Sequence, residues 1–345
     1  MTTSEEAQDD ADTSSPPPAT GKPSTFKLML GVVRMMRPHQ WVKNTFVLAP
    51  VFFAKDIFHV PLLLTALEAF AVFCFLAGAV YTLNDLVDVE ADRAHPVKRN
   101  RPIASGLVPE SLAKAVGGVL IVGSLGGAFA LSIPFGATAL AYLVNNVAYS
   151  FKPTKLKDVA YVDVGSISLG FVLRVVAGGL ATQIPVSTYL VACTALLALF
   201  LGFGKRRHEL AQHLAKEQKK EAARIAAGEP AQANDGKVAQ RGVLRSYSTG
   251  ALTAALSITA LATVGTYLMY TLDPQTRVLF QSDMLWATTV FPVIGMGRFL
   301  QLVIGDTKSE SPTQKMLSDV PFILNLVLWI IVVVIIVYRV TPGVG

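Results

Sequence analysis

The sequence predicts an all-α, polytopic membrane protein, and two observations carry this prediction. Hydrophobic residues make up 52% of the 345 residues and charged residues only 16%, a balance too apolar for an ordinary soluble domain. The apolar residues also form runs near the length of about 20 residues that a helix needs to cross a bilayer. The expected partner is therefore the lipid bilayer, and the net charge of +6 is explained by membrane topology rather than by nucleic acid binding.

Nine apolar spans follow a polar tail. Residues 1–24 are rich in Ser, Thr, Pro and acidic residues, which predicts a disordered tail, and residues 25–345 are expected to form one transmembrane domain. The first span has an uninterrupted apolar stretch of only ten residues, 45–54, which is short by the usual criterion. The predicted spans are 41–57, 61–83, 111–131, 134–151, 159–180, 187–204, 246–271, 283–304 and 321–339.

The distribution of basic residues predicts the orientation. If the first span crosses, the segments before the odd-numbered spans share one side, and they hold 24 Lys and Arg residues against three on the opposite side. The positive-inside rule then places the N-terminus inside and the C-terminus outside a cell inner (plasma) membrane. The longest hydrophilic stretch, the cytoplasmic loop 205–245, combines a helical first part with a flexible second part.

An acidic cluster lies at the cytoplasmic end of the second span, in NDLVDVEADRAHPVKRNRP (84–102). No helix breaker precedes Pro96, so the helix is expected to run on and to present Asp85, Asp88 and Asp92 within about 60° of one another, with Asn84 beside them. Oxygen ligands on one face, without His or Cys, suit Mg²⁺ that is shared with a substrate's phosphates. The alternative is a solvated helix end whose carboxylates pair with the neighbouring basic residues.

This stretch resembles the NDxxDxxxD motif, with its HxxKRxRP extension, of the UbiA superfamily of intramembrane prenyltransferases. Similar matches occur at RPHQWVKN (37–44), YSFKPTKLKDVAYVDV (149–164) and GKRRHEL (204–210). The resemblance covers about residues 34–340. It implies a bundle of nine helices around a central cavity, with the active site at the cytoplasmic face.

One departure from the family pattern concerns the segment after the sixth helix. Quinone and haem members carry a second aspartate-rich motif there, whereas this chain has Lys205, Arg206 and Arg207. Basic side chains bind phosphate directly, so these three residues are expected to hold an acceptor phosphate. This combination resembles the branch that transfers a 5-phosphoribosyl group from 5-phosphoribosyl 1-diphosphate to decaprenyl phosphate, releasing diphosphate, for cell-wall arabinan synthesis.

The resemblance implies a Mg²⁺-dependent transferase in which the metal neutralises the departing diphosphate. Asn84, Asp88 and Asp92 are expected to be catalytic as metal ligands, together with Asp85, which is expected to face lipid more than its partners do. The acceptor phosphate is already ionised at neutral pH, so no general base is expected. The residues expected to bind the donor phosphates are Lys43, Lys98, Arg99, Arg101, Tyr149, Lys152 and Lys155.

Ionisable residues inside apolar runs are functional candidates by default. Asp163 and Arg174 are eleven residues apart in the fifth span and lie about 20° from alignment on one helical face. The alternative is a structural polar network between helices. The full set expected to line the cavity comprises Asn145, Lys157, Asp158, Asp163, Arg174, Glu209 and Arg298.

Two other functions stay open. The first is transfer of a prenyl group from a prenyl diphosphate to an aromatic or quinone precursor, which needs the second carboxylate cluster that this chain lacks. The second is a carrier or flippase for a lipid phosphate, although no internal repeat typical of transporters is visible. Gly123 and Gly127 permit close helix packing, either within the bundle or in a homo-oligomer.

Overall fold

The computed structural model describes residues 24–227, 242–305, 315–316 and 318–338, and all regular structure in these ranges is helical. The α-helices are α1 Thr25–Met35, α2 Ala49–Phe53, α3 Val60–Val87, α4 Val89–Arg93, α5 Glu110–Leu131, α6 Ile133–Ser150, α7 Val162–Thr182, α8 Thr188–Ala226, α9 Thr249–Leu272, α10 Pro274–Phe280, α11 Val290–Gly305 and α12 Val320–Val337. Short 3-10 segments connect them at Pro38–Leu48, Lys98–Asn100, Leu156–Asp158, Gly242–Ser246 and Leu285–Thr289. The predicted tail, apart from Ser24, lies outside the described residues.

Seven helices are long and apolar enough to cross a bilayer, which makes the protein a multi-pass membrane protein. Within the described ranges they are α3, α5, α7, α8, α9, the stretch Leu285–Gly305 and α12. They correspond to the predicted spans 2, 3 and 5 to 9, whereas the predicted fourth span is the 18-residue helix α6. The all-helical prediction is confirmed, and nine crossings and their orientation stay predictions.

The predicted first span differs most from expectation. It consists of the 3-10 segment Pro38–Leu48 followed by the five-residue helix α2. Pro38 and Pro50 both lie in the first turn of their elements, where the missing N–H leaves no helical hydrogen bond unmade. The segment packs between α3 and α7. Gly178 of α7 permits this close contact, because a Cβ there would lie 1.9 Å from the backbone oxygen of Val47.

Two apolar clusters form the interior of the bundle. The first joins the segment Pro38–Leu48 to α3, α5, α6 and α7, with Phe73 and Phe135 at its centre. The second joins α7, α8, α9 and α11 around Phe200 and Phe299. Because α7 takes part in both clusters, its polar residues lie where the two halves of the bundle meet.

The helix that carries the acidic motif is interrupted at Asp88, so the prediction of one continuous helix is wrong. Helix α3 ends at Val87, Asp88 leaves the helical conformation with φ −93° and ψ 8°, and α4 begins at Val89. The carboxylates therefore do not share one straight helical face. Like charges one turn apart destabilise a helix, and here each carboxylate has a basic partner: Asp88 lies beside Lys157, whereas Asp85 and Asp92 share Arg101.

Helix α8 extends well beyond the apolar part of its sequence. Its 39 residues correspond to about 58 Å, whereas the hydrocarbon core of a bilayer is about 30 Å thick. The charged second half of the helix therefore projects past the bundle. This agrees with the predicted helical first part of the loop 205–245, and residues 228–241 lie outside the described ranges.

Candidate active site

Asp85 and Asp92 of the acidic motif share one arginine. Nη1 of Arg101 donates to Oδ1 of Asp85 at 3.1 Å and to Oδ2 of Asp92 at 2.6 Å. Nη2 of Arg37 donates to the same oxygen of Asp85. Both carboxylates are almost fully buried, and a buried charge is tolerated when it is paired in this way. A guanidinium group therefore occupies the space between the two carboxylates.

The expectation that Asp85 faces lipid is wrong. Its side chain is only 3% exposed, because the chain turns sharply after α1. Arg37 takes a left-handed conformation with φ 53°, and this turn brings its guanidinium group over the end of α3. Asp85 is in this way covered by Arg37 and Arg101.

Asp88 is the accessible carboxylate of the motif. Its side chain is 42% exposed, and Nζ of Lys157 lies 3.4 Å from its Oδ1. Lys157 belongs to the 3-10 turn between α6 and α7, so this contact joins the acidic motif to that turn. One turn before Asp88, Oδ1 of Asn84 is buried without a hydrogen-bond partner. An amide oxygen without a donor and an accessible carboxylate thus lie next to each other.

These oxygens have the chemistry of a magnesium site. Mg²⁺ is usually held by one or two carboxylates together with substrate phosphates. The unpartnered oxygen of Asn84 and the accessible carboxylate of Asp88 fit this pattern. Across the described ranges, no group of three or more His, Cys, Asp or Glu side chains is arranged as a metal site. The residues fit an ion that takes few protein ligands and completes its coordination with substrate and water.

Lys43 lies at the centre of a cationic group. Among the described residues its ammonium group makes no hydrogen bond or ion pair, and its electrostatic neighbours are Arg174, Lys205 and Arg37. Burial, followed by repulsion from these three cations, lowers the pKa of Lys43 to about 8; the residue lies outside the seven candidate spans. An ammonium group held among like charges is a favourable place for an anion.

Arg174 supplies a fixed positive charge to this group. It is buried in α7, where Nε donates to Oδ1 of Asn44, Nη1 to the carbonyl oxygen of Gly170, and Nη2 to the hydroxyl of Tyr142, each at 2.8 Å. Its guanidinium group also lies 4.6 Å from the centre of the Tyr142 ring. None of these partners is a carboxylate, so the charge is held in place without being neutralised by the protein.

Arg206 lies in a second buried network. Its Nε donates to Oδ2 of Asp163 at 2.5 Å and its Nη1 to Oε2 of Glu209 at 2.6 Å. The other oxygen of Asp163 accepts from the hydroxyl of Tyr247 at 2.5 Å, and that hydroxyl accepts from the backbone N–H of Tyr161 at 2.7 Å. The network joins the start of α7, the middle of α8 and the segment before α9.

This network bears on the three residues expected to bind the acceptor phosphate. Arg206 is engaged by two carboxylates, and Arg207 donates to Oγ1 of Thr253 and to the carbonyl oxygen of Val303. Lys205 is exposed and lies near Lys43. Of the three residues, Lys205 is an electrostatic neighbour of Lys43 and so belongs to the cationic group.

The other expected residues fall into three groups. Lys98, Arg99 and Lys152 are exposed, in loops at the same end of the bundle as the acidic motif. Two residues are linked to other site residues: Tyr149 interacts electrostatically with Arg206, and Asn145 bonds to Ser166. Two pairs have local ion pairs: Lys155 with Asp158 at 2.7 Å, and Arg298 with Asp319 at 2.8 Å.

Asp163 and Arg174 do not act together, although both belong to α7. Asp163 contacts Arg206 and Tyr247, whereas Arg174 contacts Asn44 and Tyr142. Eleven residues of helix separate their backbones by about 16 Å. The two residues therefore belong to two separate networks, although they lie on the same face of α7.

Four contributing residues were missed from the sequence: Arg37, Asn44, Tyr142 and Tyr247. Arg37 and Asn44 lie in the stretch RPHQWVKN (37–44), so the motif already contained a signal for them. Tyr142 and Tyr247 sit in stretches without a distinguishing pattern. Only the packing of α6 and of the segment before α9 brings them to the site.

Comparison with known proteins identifies a matching family and several relatives. Residues 45–215 match the UbiA prenyltransferase family. The chain is 45% identical over 193 residues to the decaprenyl-phosphate phosphoribosyltransferase of Mycobacterium tuberculosis, covering 55% of this chain and 62% of the relative. It is 39% identical over 197 residues to the protein of that name from Mycolicibacterium smegmatis, covering 56% and 60%. The chain thus spans less than two thirds of the length of these relatives.

Solved structures share the fold. A UbiA homolog from Archaeoglobus fulgidus bound to GPP and Mg²⁺ superimposes with a TM-score of 0.59 at 18% identity, over 89% of this chain and 99% of that chain. A structure described as digeranylgeranylglyceryl phosphate synthase in membranes gives a TM-score of 0.56 at 15% identity, over 88% and 98%. At these identities the likeness establishes a common architecture.

Proposed function

We propose, from the match of residues 45–215 to the UbiA prenyltransferase family, that the protein transfers a 5-phosphoribosyl group from 5-phosphoribosyl 1-diphosphate to decaprenyl phosphate. The similarity to decaprenyl-phosphate phosphoribosyltransferases supports this choice. The reaction releases diphosphate and supplies a lipid-linked pentose phosphate for cell-wall arabinan.

One observation carries the proposal: the acidic motif and the cationic group around Lys43 are joined by Arg37. Arg37 binds Asp85 and is also an electrostatic neighbour of Lys43. A site for two phosphorylated substrates needs an oxygen-rich part for a metal-bound diphosphate and a cationic part for a second phosphate. Both parts are present at one end of the bundle.

Positioning accounts for most of the chemistry. An oxygen of the acceptor phosphate attacks the anomeric carbon, and the bond from that carbon to the diphosphate oxygen breaks. Asn84 and Asp88, with Asp92 nearby, would hold Mg²⁺, and the bound ion would supply positive charge for the diphosphate. Lys43, which the sequence assigned to the donor, lies with Lys205 and Arg174, and on our proposal these three residues hold the acceptor phosphate. Arg101 and Lys157 contact the donor's phosphates.

The arrangement around Arg206 disfavours the alternative of prenyl transfer to an aromatic acceptor. That reaction in this family uses a second acidic cluster after the sixth helix. In this chain the acidic residue of that segment is Glu209, and it is paired with the buried Arg206 at 2.6 Å. Glu209 is therefore neutralised within the protein, and Lys205 of the same segment lies beside Lys43.

The location follows from the same charges. The acidic motif, the turn Leu156–Asp158 and Lys205 lie at the end of the bundle where the basic loops gather. Under the positive-inside rule, this end faces the cytoplasm, with the bundle in the plasma membrane. Soluble 5-phosphoribosyl 1-diphosphate then reaches the site from the cytoplasm, and the polyprenyl chain stays in the bilayer.

The decisive experiment gives the purified chain, in lipid nanodiscs, radiolabelled 5-phosphoribosyl 1-diphosphate and decaprenyl phosphate. We expect label in the lipid phase only when Mg²⁺ is present. A parallel reaction offers geranyl diphosphate and 4-hydroxybenzoate, for which we expect no product. Absence of lipid-soluble label in the first reaction, or prenylated product in the second, contradicts the proposed function.

A further inference from the structure

Helix α1 has two opposite apolar faces, and only one is covered by protein. Gly31 and Met35 are buried, with Leu28 and Val32 partly buried, against residues that include Val108. The opposite face carries Phe26, Met29, Leu30 and Val33, which are 76%, 65%, 42% and 50% exposed. These four residues follow the spacing of one helical face. An apolar face this complete on a short helix needs a covering.

The position and length of α1 show that it does not cross the bilayer. Its 11 residues span about 16 Å, roughly half of the hydrocarbon core. Its covered face packs on Val89, Ile103 and Val108, and thus on the ends of the bundle next to the acidic motif. The helix therefore lies beside the bundle at the level where apolar spans give way to charged loops.

Both cationic residues within α1 lie on one flank. Lys27 and Arg34 are exposed and seven residues apart. At 100° per residue they fall about 90° from both apolar faces. The helix thus presents protein contacts on one side, apolar side chains on the opposite side, and positive charge between them, with no acidic residue in the helix.

We propose that α1 is an interfacial helix that lies in the surface of an anionic phospholipid leaflet, on the side of the membrane that carries the acidic motif. Phe26, Met29, Leu30 and Val33 enter the boundary between headgroups and acyl chains, and Lys27 and Arg34 contact anionic headgroups. Helices with this distribution bind in the plane of the interface, and anionic lipid strengthens their binding. This surface is separate from the substrate site and does not depend on which group the enzyme transfers.

The interfacial position of α1 affects the site because the helix leads directly into Arg37. Only Met36 separates the end of α1 from Arg37, whose guanidinium group binds Asp85. Met36 itself packs on Gly78 of α3. The depth at which α1 sits in the leaflet therefore fixes the position of Arg37 over the acidic motif.

The test places a fluorinated phenylalanine analogue at position 26 of the full chain and measures ¹⁹F relaxation in nanodiscs. Molecular oxygen, which concentrates in lipid, and a water-soluble gadolinium chelate serve as the two relaxation agents. At position 26 we expect relaxation by oxygen to exceed relaxation by the gadolinium chelate. A probe at Leu214, an exposed apolar residue on the charged part of α8, is the matched control, and there gadolinium should dominate.

Lipid charge provides the second measurement. Lys27→Gln with Arg34→Gln should raise gadolinium relaxation at position 26 by about twofold in anionic nanodiscs and leave it unchanged in neutral ones. Gadolinium relaxation at position 26 equal to that at position 214 would show a water-exposed face and overturn the proposal. Relaxation by neither agent would show that protein, such as a second copy of the chain, covers the face, and it would overturn the proposal equally.

Discussion

Nε of Arg206 donates to Oδ2 of Asp163 at 2.5 Å, and both side chains are almost completely buried. Asp163 begins α7 and Arg206 lies in the middle of α8, so the pair joins two neighbouring spans. A buried ion pair of this kind fixes the position of α7 relative to α8, since removing one partner leaves an uncompensated buried charge. Arg206 is for this reason a positioning residue whose loss should affect the fold before it affects substrate binding.

Arg206→Ala should lower the free energy of unfolding by about 3–5 kcal/mol, because Asp163 and Glu209 lose their shared partner. Thermal unfolding in detergent measures this change. Lys205→Ala is the matched control next to it, and it should leave the midpoint unchanged while raising the acceptor KM. If Arg206→Ala unfolds like the wild type and raises the acceptor KM instead, Arg206 binds the phosphate directly.

Asp88→Asn should reduce kcat by about 10²–10³-fold, the usual loss when a group that stabilises developing charge is removed. Asp88 is half exposed and makes one long contact to Lys157, so the midpoint of thermal unfolding should hardly change. Steady-state kinetics with Mg²⁺ titration provides the readout, and Glu90→Gln in the same motif is the control. Retention of more than a tenth of wild-type kcat in Asp88→Asn would remove this carboxylate from the catalytic set.

The apparent affinity for phosphorylated substrate should fall as the pH rises through about 8. Burial and three neighbouring cations lower the pKa of Lys43 to about 8, so above this pH the ammonium group loses its proton and its attraction for phosphate. KM values for donor and acceptor between pH 6.5 and 9 test this, with Lys43→Arg as the matched variant. Because arginine stays charged, its profile should be flat; a rise of the same size in both proteins would mean that another group titrates.

Gly178→Ala should destabilise the protein and reduce turnover. A Cβ at this position would meet the backbone oxygen of Val47 at 1.9 Å, which forces the segment carrying Lys43 and Asn44 away from α7. Overpacking of this kind costs about 1–3 kcal/mol or more, visible as a lower unfolding midpoint. Gly165→Ala in the same helix, where no atom lies within 4 Å of the added Cβ, is the control and should unfold like the wild type. Equal unfolding midpoints for the two variants would show that the segment Pro38–Leu48 can move away from α7 without loss of stability.

Sequence patterns identified the class of protein and the residue types of the candidate site. Apolar runs indicated the membrane helices because a helix that crosses lipid needs about 20 consecutive apolar residues, which are visible in the sequence. The motif NDLVDVEADRAHPVKRNRP kept its importance, since Asn84 and Asp88 provide a free amide oxygen and an accessible carboxylate. The contrast between this motif and the basic residues at 205–207 also favoured a second phosphate over a second metal cluster.

Tertiary structure decided which charges of the candidate site are paired with one another and which are exposed. Arg37 and Asp85 are 48 residues apart in the chain, Asn44 and Arg174 are 130 apart, and Asp163 and Tyr247 are 84 apart. Hydrophobic periodicity in the sequence does not predict such pairs, because each pair depends on how the helices pack against one another. The break of the helix at Asp88 has the same origin, since the basic partners of the motif come from the turn after α1, the loop after α4 and the turn before α7. The residue types at the site were thus determined locally, whereas their pairing depends on long-range packing.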